Sequence, residues 1–242
     1  MVNYRLKLTD IRQESKDTYT FLMDMPEGFL WEEGAHAHIG IKGYDFQAPN
    51  GAYVRHMSIM TLPKEDKIGF TTKKRGTLSL FKETLFNMKV GEELLLFKPG
   101  SRMALRRENR PIVLVSMGVG CATMRPLILA YEEDPSGIDA LIHINIHGDE
   151  EALYQQELSA CKEERLQSHY VKTRGDMDKL LEETLTLEKP IYYLVGSDAF
   201  LIQKTHWLLA KGVAFEDVVL DKKEQFTSRL LMMSPKDLAV ML

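Results

Sequence analysis

Pro111-Ile112-Val113-Leu114-Val115-Ser116-Met117-Gly118-Val119-Gly120-Cys121-Ala122-Thr123-Met124-Arg125-Pro126-Leu127 decides how the chain is read. An apolar run of strand length meets a turn pinched by Gly118 and Gly120, and a further apolar segment follows with helical character. A junction of this kind leaves backbone N–H groups pointing out of a helix start, where a phosphate or another electron-rich group is well received. The turn alone is also explained by close packing of a strand on its helix, with no ligand at all. Its position is what makes it informative, because the sequence changes character on either side of it.

Downstream, strand and helix patterns alternate. Ala140–Ile146, His169–Lys172, Pro190–Val195 and Val218–Leu220 read as strands. Leu127–Glu133, Asp149–Glu164, Asp176–Leu187 and Asp198–Gly212 read as helices, the last stopped by its glycine. Alternation of this kind predicts an open parallel sheet with ligands at the carboxyl ends of its strands. Beyond it, Ser234-Pro235 is expected to open a short helix that packs on the body or on a second copy, with a membrane or partner tail as the sharper alternative.

Upstream, Thr18–Met23, Ala35–Ile41, Val54–Met60, Lys67–Thr72 and Glu93–Phe97 are short alternating runs. Turns at Pro26-Glu27-Gly28, Lys42-Gly43, Pro49-Asn50-Gly51 and Val90-Gly91-Glu92 separate them, which predicts a small antiparallel β-barrel. A single helix is expected from Ser79 to Asn87, capped by Ser79 or Thr77, with Leu80, Phe81, Leu85 and Phe86 on one face. On the strand Arg55-His56-Met57-Ser58, period-two alternation puts Arg55 and Met57 on one face and His56 and Ser58 on the other. Gly76-Thr77-Leu78-Ser79, directly after Lys73-Lys74-Arg75, offers hydroxyls and a positive helix end to a diphosphate, although an ordinary capped helix accounts for it too.

The 242 residues suffice for two domains, and 44% hydrophobic with 27% charged residues is a globular composition. A net charge of −4 gives no overall footprint for nucleic acid. The N-terminal residues lack the apolar core of a signal peptide and no apolar run reaches transmembrane length, so a cytoplasmic protein is expected. The two cysteines, Cys121 and Cys161, cannot hold a four-thiolate cluster, and no metal-ligand spacing occurs, so no metal site is expected. The basic run Lys98–Arg110 reads equally as a solvated linker or as a patch steering an acidic electron carrier.

The order of these segments resembles the ferredoxin–NADP reductase family of flavoproteins. Arg55-x-x-Ser58 is followed by Gly76-x-x-Ser79, Pro99-Gly100, Gly118-x-Gly120, Gly196 and the closing Glu224-Gln225-Phe226. Three positions depart from the family pattern. Met57 stands where an aromatic is usual, Thr123 where proline is usual, and Val195-Gly196-Ser197 replaces Cys-Gly-Pro. The resemblance implies an FAD-binding barrel over residues 1–107, an NAD(P)-binding α/β domain over 108–226 and an extension over 227–242.

On that resemblance, Arg55, His56, Met57, Ser58, Thr72, Gly76, Thr77, Leu78 and Ser79 hold FAD, with Arg55 on its diphosphate and Ser58 beside flavin N5. Gly118, Gly120, Thr123, Arg174, Gly196 and Phe226 serve the nicotinamide dinucleotide or the ring facing it, and Ser58, Glu224 and Phe226 form the hydride site. The implied activity is an FAD-dependent NAD(P)H oxidoreductase that passes hydride from nicotinamide to flavin N5, then electrons to a separate acceptor such as flavodoxin, ferredoxin or a partner protein. Two other readings stay open: an electron-transfer subunit of a multicomponent reductase or oxygenase, and a flavin- or nucleotide-binding module without turnover. Thr173-Arg174 after a strand favours NADPH, whereas the acidic His147-Gly148-Asp149-Glu150-Glu151 favours an unphosphorylated ribose. Cys121 reads either as a helix-start thiolate or as a small filler of the turn.

Overall fold

A computed structural model of the chain describes residues 3–148 and 152–232. The described residues divide into two compact units, one running to Ala104 and taking in Arg125–Leu127, the other comprising Leu105–Met124 and the described residues from Ile128 onward. The expected Ser234-Pro235 helix and the acidic residues Asp149, Glu150 and Glu151 lie outside the described residues.

The first unit is a curled half-barrel. Its strands are β1 (Asn3–Ser15), β2 (Thr18–Asp24), β3 (Ala35–Gly40), β4 (Val54–Ser58), β5 (Lys67–Lys73) and β6 (Glu93–Ser101). They run antiparallel in the order β4-β3-β6-β1-β2-β5. The end strands β4 and β5 approach one another without ladder hydrogen bonds, so the expected barrel stays open along one seam. Strand β1 is longer than any strand expected from the sequence. It pairs with β6 over Asn3–Lys7 and with β2 over Leu8–Ser15, and its ladder with β2 is irregular after Leu8 and after Gln13.

Alternating residues of these strands, among them Leu6, Leu8, Phe21, Met23, Ile39, Phe70, Leu94 and Leu96, fill the interior. Helix α1 (Leu80–Asn87) lays the fully buried Phe81 and Leu85 against them. Each such side chain contributes roughly 1.5–3 kcal/mol by leaving water. The expected four-residue apolar face is narrower than the sequence suggests, because Leu80 is 43% exposed.

The second unit carries β7 (Arg110–Met117), β8 (Ile138–Ile146), β9 (Leu166–Val171), β10 (Ile191–Val195) and β11 (Val218–Leu220). They form a parallel sheet in the order β11-β10-β7-β8-β9. The helices are α2 (Cys121–Glu133), α3 (Gln155–Ser159), α4 (Arg174–Glu183), α5 (Asp198–Ala210) and α6 (Glu224–Met232). One sheet face, with Val113, Val115, Ile144, Tyr192 and Leu194, packs on Met177 and Leu181 of α4 and on Phe200, Leu201 and Leu208 of α5. The chain steps outward from β7 through β8 to β9 and then returns to the other side of β7 with β10 and β11. The topological switch point therefore lies between β7 and β10.

Two expectations change in this unit. The helix expected from Asp149 to Glu164 is only the five-residue α3 among the described residues. Tyr154 precedes it with φ of 58°, and the backbone N–H groups of Lys162 and Glu163 donate to the Glu132 carboxylate at 2.8 and 2.9 Å, drawing the chain out of helical geometry. The C-terminal extension expected from residue 227 is not separate at its start, because α6 carries Phe226 onward as one helix and buries Leu230 in the unit's core.

The basic run is neither a solvated linker nor a steering patch over its second half. The Arg106 guanidinium holds Glu108 at 2.7 Å and donates to the Glu216 carbonyl at 2.7 Å. Arg107 donates to the carbonyls of Asp134 and Ser136, and Arg110 pairs with Asp217 at 2.7 Å. These arginines fasten the entry of β7 to the loops of its own unit.

Candidate functional site

In the first unit, β4 enters beside β3 with Ile39 opposite Arg55, Ala37 opposite Met57, and His36 opposite Ser58. The expected alternation holds. Met57 is half-buried against the half-barrel core, where its flexible thioether adapts to its neighbours. Arg55 turns its guanidinium back onto the carbonyls of Gly51 and Val54 at 2.6 and 2.7 Å and over the Phe81 ring at 5.5 Å. No carboxylate pairs with it among the described residues.

That placement brings Arg55 to helix α1, the element that starts at Ser79. Ser79 is in extended conformation and caps the backbone of Lys82. Gly76 has φ of 64° with open space where a Cβ would lie. Lys82, whose ammonium donates to the Lys73 carbonyl at 2.7 Å, has its pKa lowered first by burial and then by the Arg55 charge. Two cations thus stand close enough to repel one another near a helix N-terminus, an arrangement that an anion relieves. Thr77 and Leu78 complete the turn, exposed and half-buried respectively, and Thr72 is buried on β5.

On the opposite face of β4 the structure adds a feature that was not foreseen. His56 lies in a row of imidazoles, 4.1 Å centroid to centroid from His36 and 5.7 Å from His38. Arg102 reaches His36 Nε2 at 3.4 Å. Ser58 shares this face. The signal was in the sequence, since His36-x-His38 alternates in the same period as His56-x-Ser58.

In the second unit, the Gly118–Gly120 turn stands at the carboxyl end of β7, directly at the switch point. Gly118 has φ of 56°, a backbone conformation that glycine adopts without strain, and open space beyond its Cα. Gly120 is used differently: a Cβ there would lie 2.9 Å from the carbonyl oxygen of Val195 on β10. Gly196 is held for packing as well, with a Cβ only 2.5 Å from the Phe200 ring. Ser197 then caps α5. Thr123 is buried in the first turn of α2, 4% exposed.

At the neighbouring β11 end, Lys222 pairs with Asp198 at 2.6 Å and lies 5.2 Å over the Phe226 ring. Phe226 is half-buried against the core, and Glu224 opens the same helix. Arg174 is exposed at the start of α4, past the end of the edge strand β9, with no ion pair among the described residues. The Thr173 hydroxyl beside it accepts from the Asp176 N–H at 3.1 Å and donates to the Asp176 carboxylate at 2.6 Å. Cys121 is a filler rather than a thiolate: burial pushes its thiol up to about 12, and its S–H is directed at the Leu153 carbonyl at 3.4 Å. No cluster of three His, Cys, Asp or Glu residues suited to a metal occurs among the described residues, and no described helix is long and apolar enough to cross a membrane.

A curled antiparallel half-barrel followed by a five-stranded parallel sheet with its glycine turn at the switch point is the fold of ferredoxin–NADP reductase-like structures. Among solved structures, the flavohemoglobin of Malassezia yamatoensis with bound FAD and heme superposes with a TM-score of 0.75 at 16% identity, over 91% of this chain and 60% of that one. A ferredoxin NADP+ reductase from Neisseria gonorrhoeae with bound FAD and NADP gives 0.75 at 16%, over 90% and 98%. The siderophore-interacting protein of Acinetobacter baumannii gives 0.72 at 13%, over 96% of each chain. This chain therefore spans three-fifths of the flavohemoglobin and nearly all of the other two. No family profile and no curated protein sequence matches it.

Proposed function

We propose that the chain is an FAD-dependent NAD(P)H oxidoreductase that delivers electrons to a separate acceptor. The observation that carries the reading is the pair Arg55 and Lys82, without a carboxylate partner among the described residues, at the N-terminus of α1 beside the open left-handed turn at Gly76. A diphosphate suits that place, because it relieves the repulsion between two cations and accepts from the exposed N–H groups of the helix start. The Neisseria gonorrhoeae structure of the same fold holds FAD and NADP, which supports assigning the anion to a dinucleotide. The two cofactors supply the redox chemistry when bound, and the chain supplies orientation and electrostatics.

Each residue then has a task it can perform without a side-chain nucleophile. Arg55 and Lys82 fix the diphosphate, with Ser79 and Gly76 shaping the turn around it. Met57 offers a polarisable surface on the same strand face as Arg55. Ser58, on the other face, donates a hydroxyl hydrogen bond near the reactive edge of the flavin. Gly118 admits the nicotinamide dinucleotide to the carboxyl end of β7, Arg174 answers a ribose phosphate, and Glu224 and Phe226 complete the hydride site. Equilibrium dialysis against FAD and against FMN tests the assignment. Retention of FAD, with FMN held far more weakly, is the expected result, and equal retention of both removes the role given to the diphosphate cradle.

A further inference from the structure

The face of the parallel sheet turned away from α4 and α5 is polar where a core should be apolar. His143 and Asn145 project from β8 on that face, and the parallel register sets Ser168 of β9 opposite His143 and Tyr170 opposite Asn145. Neighbours along a strand face are about 7 Å apart and neighbours across strands about 5 Å, so four polar side chains share one small patch. His143 and Asn145 are fully buried. Nδ1 of His143, Oδ1 of Asn145, Oγ of Ser168 and the hydroxyl of Tyr170 are all shut from solvent without a hydrogen-bond partner among the described protein groups. Leaving even one such group unsatisfied costs roughly 1–3 kcal/mol, so four together require a common explanation.

The surrounding bonds fix what each atom can offer. Asn145 Nδ2 donates to the Ser116 hydroxyl at 2.8 Å and leans on the Ser116 carbonyl at 3.4 Å. A carbonyl only accepts, so Nδ2 is the donor there and Oδ1, buried and without a hydrogen bond among the described residues, is left as an acceptor. The Cys121 thiol spends its proton on the Leu153 carbonyl, leaving its sulfur to face His143 Nε2 at 4.0 Å. An imidazole that donates from Nε2 to this sulfur leaves Nδ1 as a second bare acceptor. Burial holds the imidazole neutral, with its pKa down to about 3. The negative charge of Glu157 acts on both Cys121 and Tyr170, which disfavours an anion there. No metal-binding cluster lies among the described residues.

We propose that this patch beneath α2 is an internal hydration site, in which ordered water donates to His143 Nδ1 and Asn145 Oδ1 and is held by the hydroxyls of Ser168 and Tyr170. Water alone matches two acceptors and two hydroxyls in a neutral, closed setting, and such sites are built from two to four polar partners. By holding Asn145 in place the water supports Ser116, two residues before Gly118, so the site buttresses the glycine turn from below. It stands independently of the cofactor assignment.

A crystal structure of the chain fine enough to place waters tests it, together with nitrogen NMR of the His143 ring. The expected result is a water within hydrogen-bond distance of both acceptors and an Nε2–H imidazole whose Nδ1 resonance is shifted by an accepted hydrogen bond. In Tyr170→Phe the water should remain on His143 and Asn145. Direct pairing of the four side chains with each other, a dry patch, a bound solute other than water, or an Nδ1–H tautomer each overturns the assignment.

Discussion

Gly120 and Val195 meet at the switch point so closely that a Cβ on the glycine would stand 2.9 Å from the valine carbonyl oxygen. The contact joins the turn after β7 to the end of β10, and backbone, not a movable side chain, blocks the space. Gly118, two residues earlier, has the complementary property of open space with a left-handed backbone. The glycine pair thus divides its labour: one residue packs the strand ends, the other leaves room above them.

Substitution should separate the two tasks. Gly120→Ala is expected to lower stability by about 1–3 kcal/mol through overpacking, read as a drop in the midpoint of urea unfolding. Gly118→Ala should cost about 1–2 kcal/mol of backbone strain while weakening nicotinamide dinucleotide binding more than Gly120→Ala does in the folded fraction. Equal stability losses with unchanged binding in both variants would remove the distinction.

Removing the Arg55 charge should be felt at the diphosphate. Arg55→Ala is expected to weaken FAD binding by about 10- to 100-fold, the worth of one or two charge-assisted hydrogen bonds, measured by flavin fluorescence titration. Lys82→Ala should act in the same direction. If FAD affinity is unchanged in both, the cationic pair serves only the helix on which it sits.

Arg174 is exposed and without an ion pair among the described residues, yet the neighbouring Thr173 hydroxyl is already engaged by Asp176. Arg174→Ala is expected to raise the KM for NADPH several-fold more than that for NADH. Equal effects on the two coenzymes would contradict a ribose-phosphate role.

His143 gives a pH signature. Its folded pKa of about 3 lies below its ordinary value of 6.5, so between these the unfolded chain binds the proton that the folded chain refuses. Stability therefore rises with pH across that window and is lost as pH falls from about 6.5 towards 3. For a fully buried group the loss is of the order of several kcal/mol. His143→Leu should flatten the pH dependence of the urea midpoint between pH 7 and 4. An unchanged slope would show that other groups govern acid unfolding.

The architecture was legible because its signals are periodic. Short alternating strands with glycine and proline turns announce the half-barrel, and strand–helix alternation announces the parallel sheet. Arg55 and Gly76–Ser79, proposed to hold a diphosphate, are singled out by the order of segments, since each lies on one short element. What escaped depends on contacts between distant residues. Glu132 unwinds the segment around Lys162, Arg106 and Arg110 turn inward onto Glu216 and Asp217, and Gly120 and Gly196 are reserved for packing by Val195 and Phe200. The imidazole row of His36, His38 and His56 required strand register, which places β3 beside β4.

Anaerobic stopped-flow mixing of the FAD-loaded chain with NADPH and, separately, NADH tests the central claim most directly. The account predicts rapid bleaching of the flavin's visible absorption by at least one of them, with colour returning when an acceptor is added. A chain that stays colourless after incubation with FAD, or whose flavin absorption neither coenzyme bleaches, would contradict it.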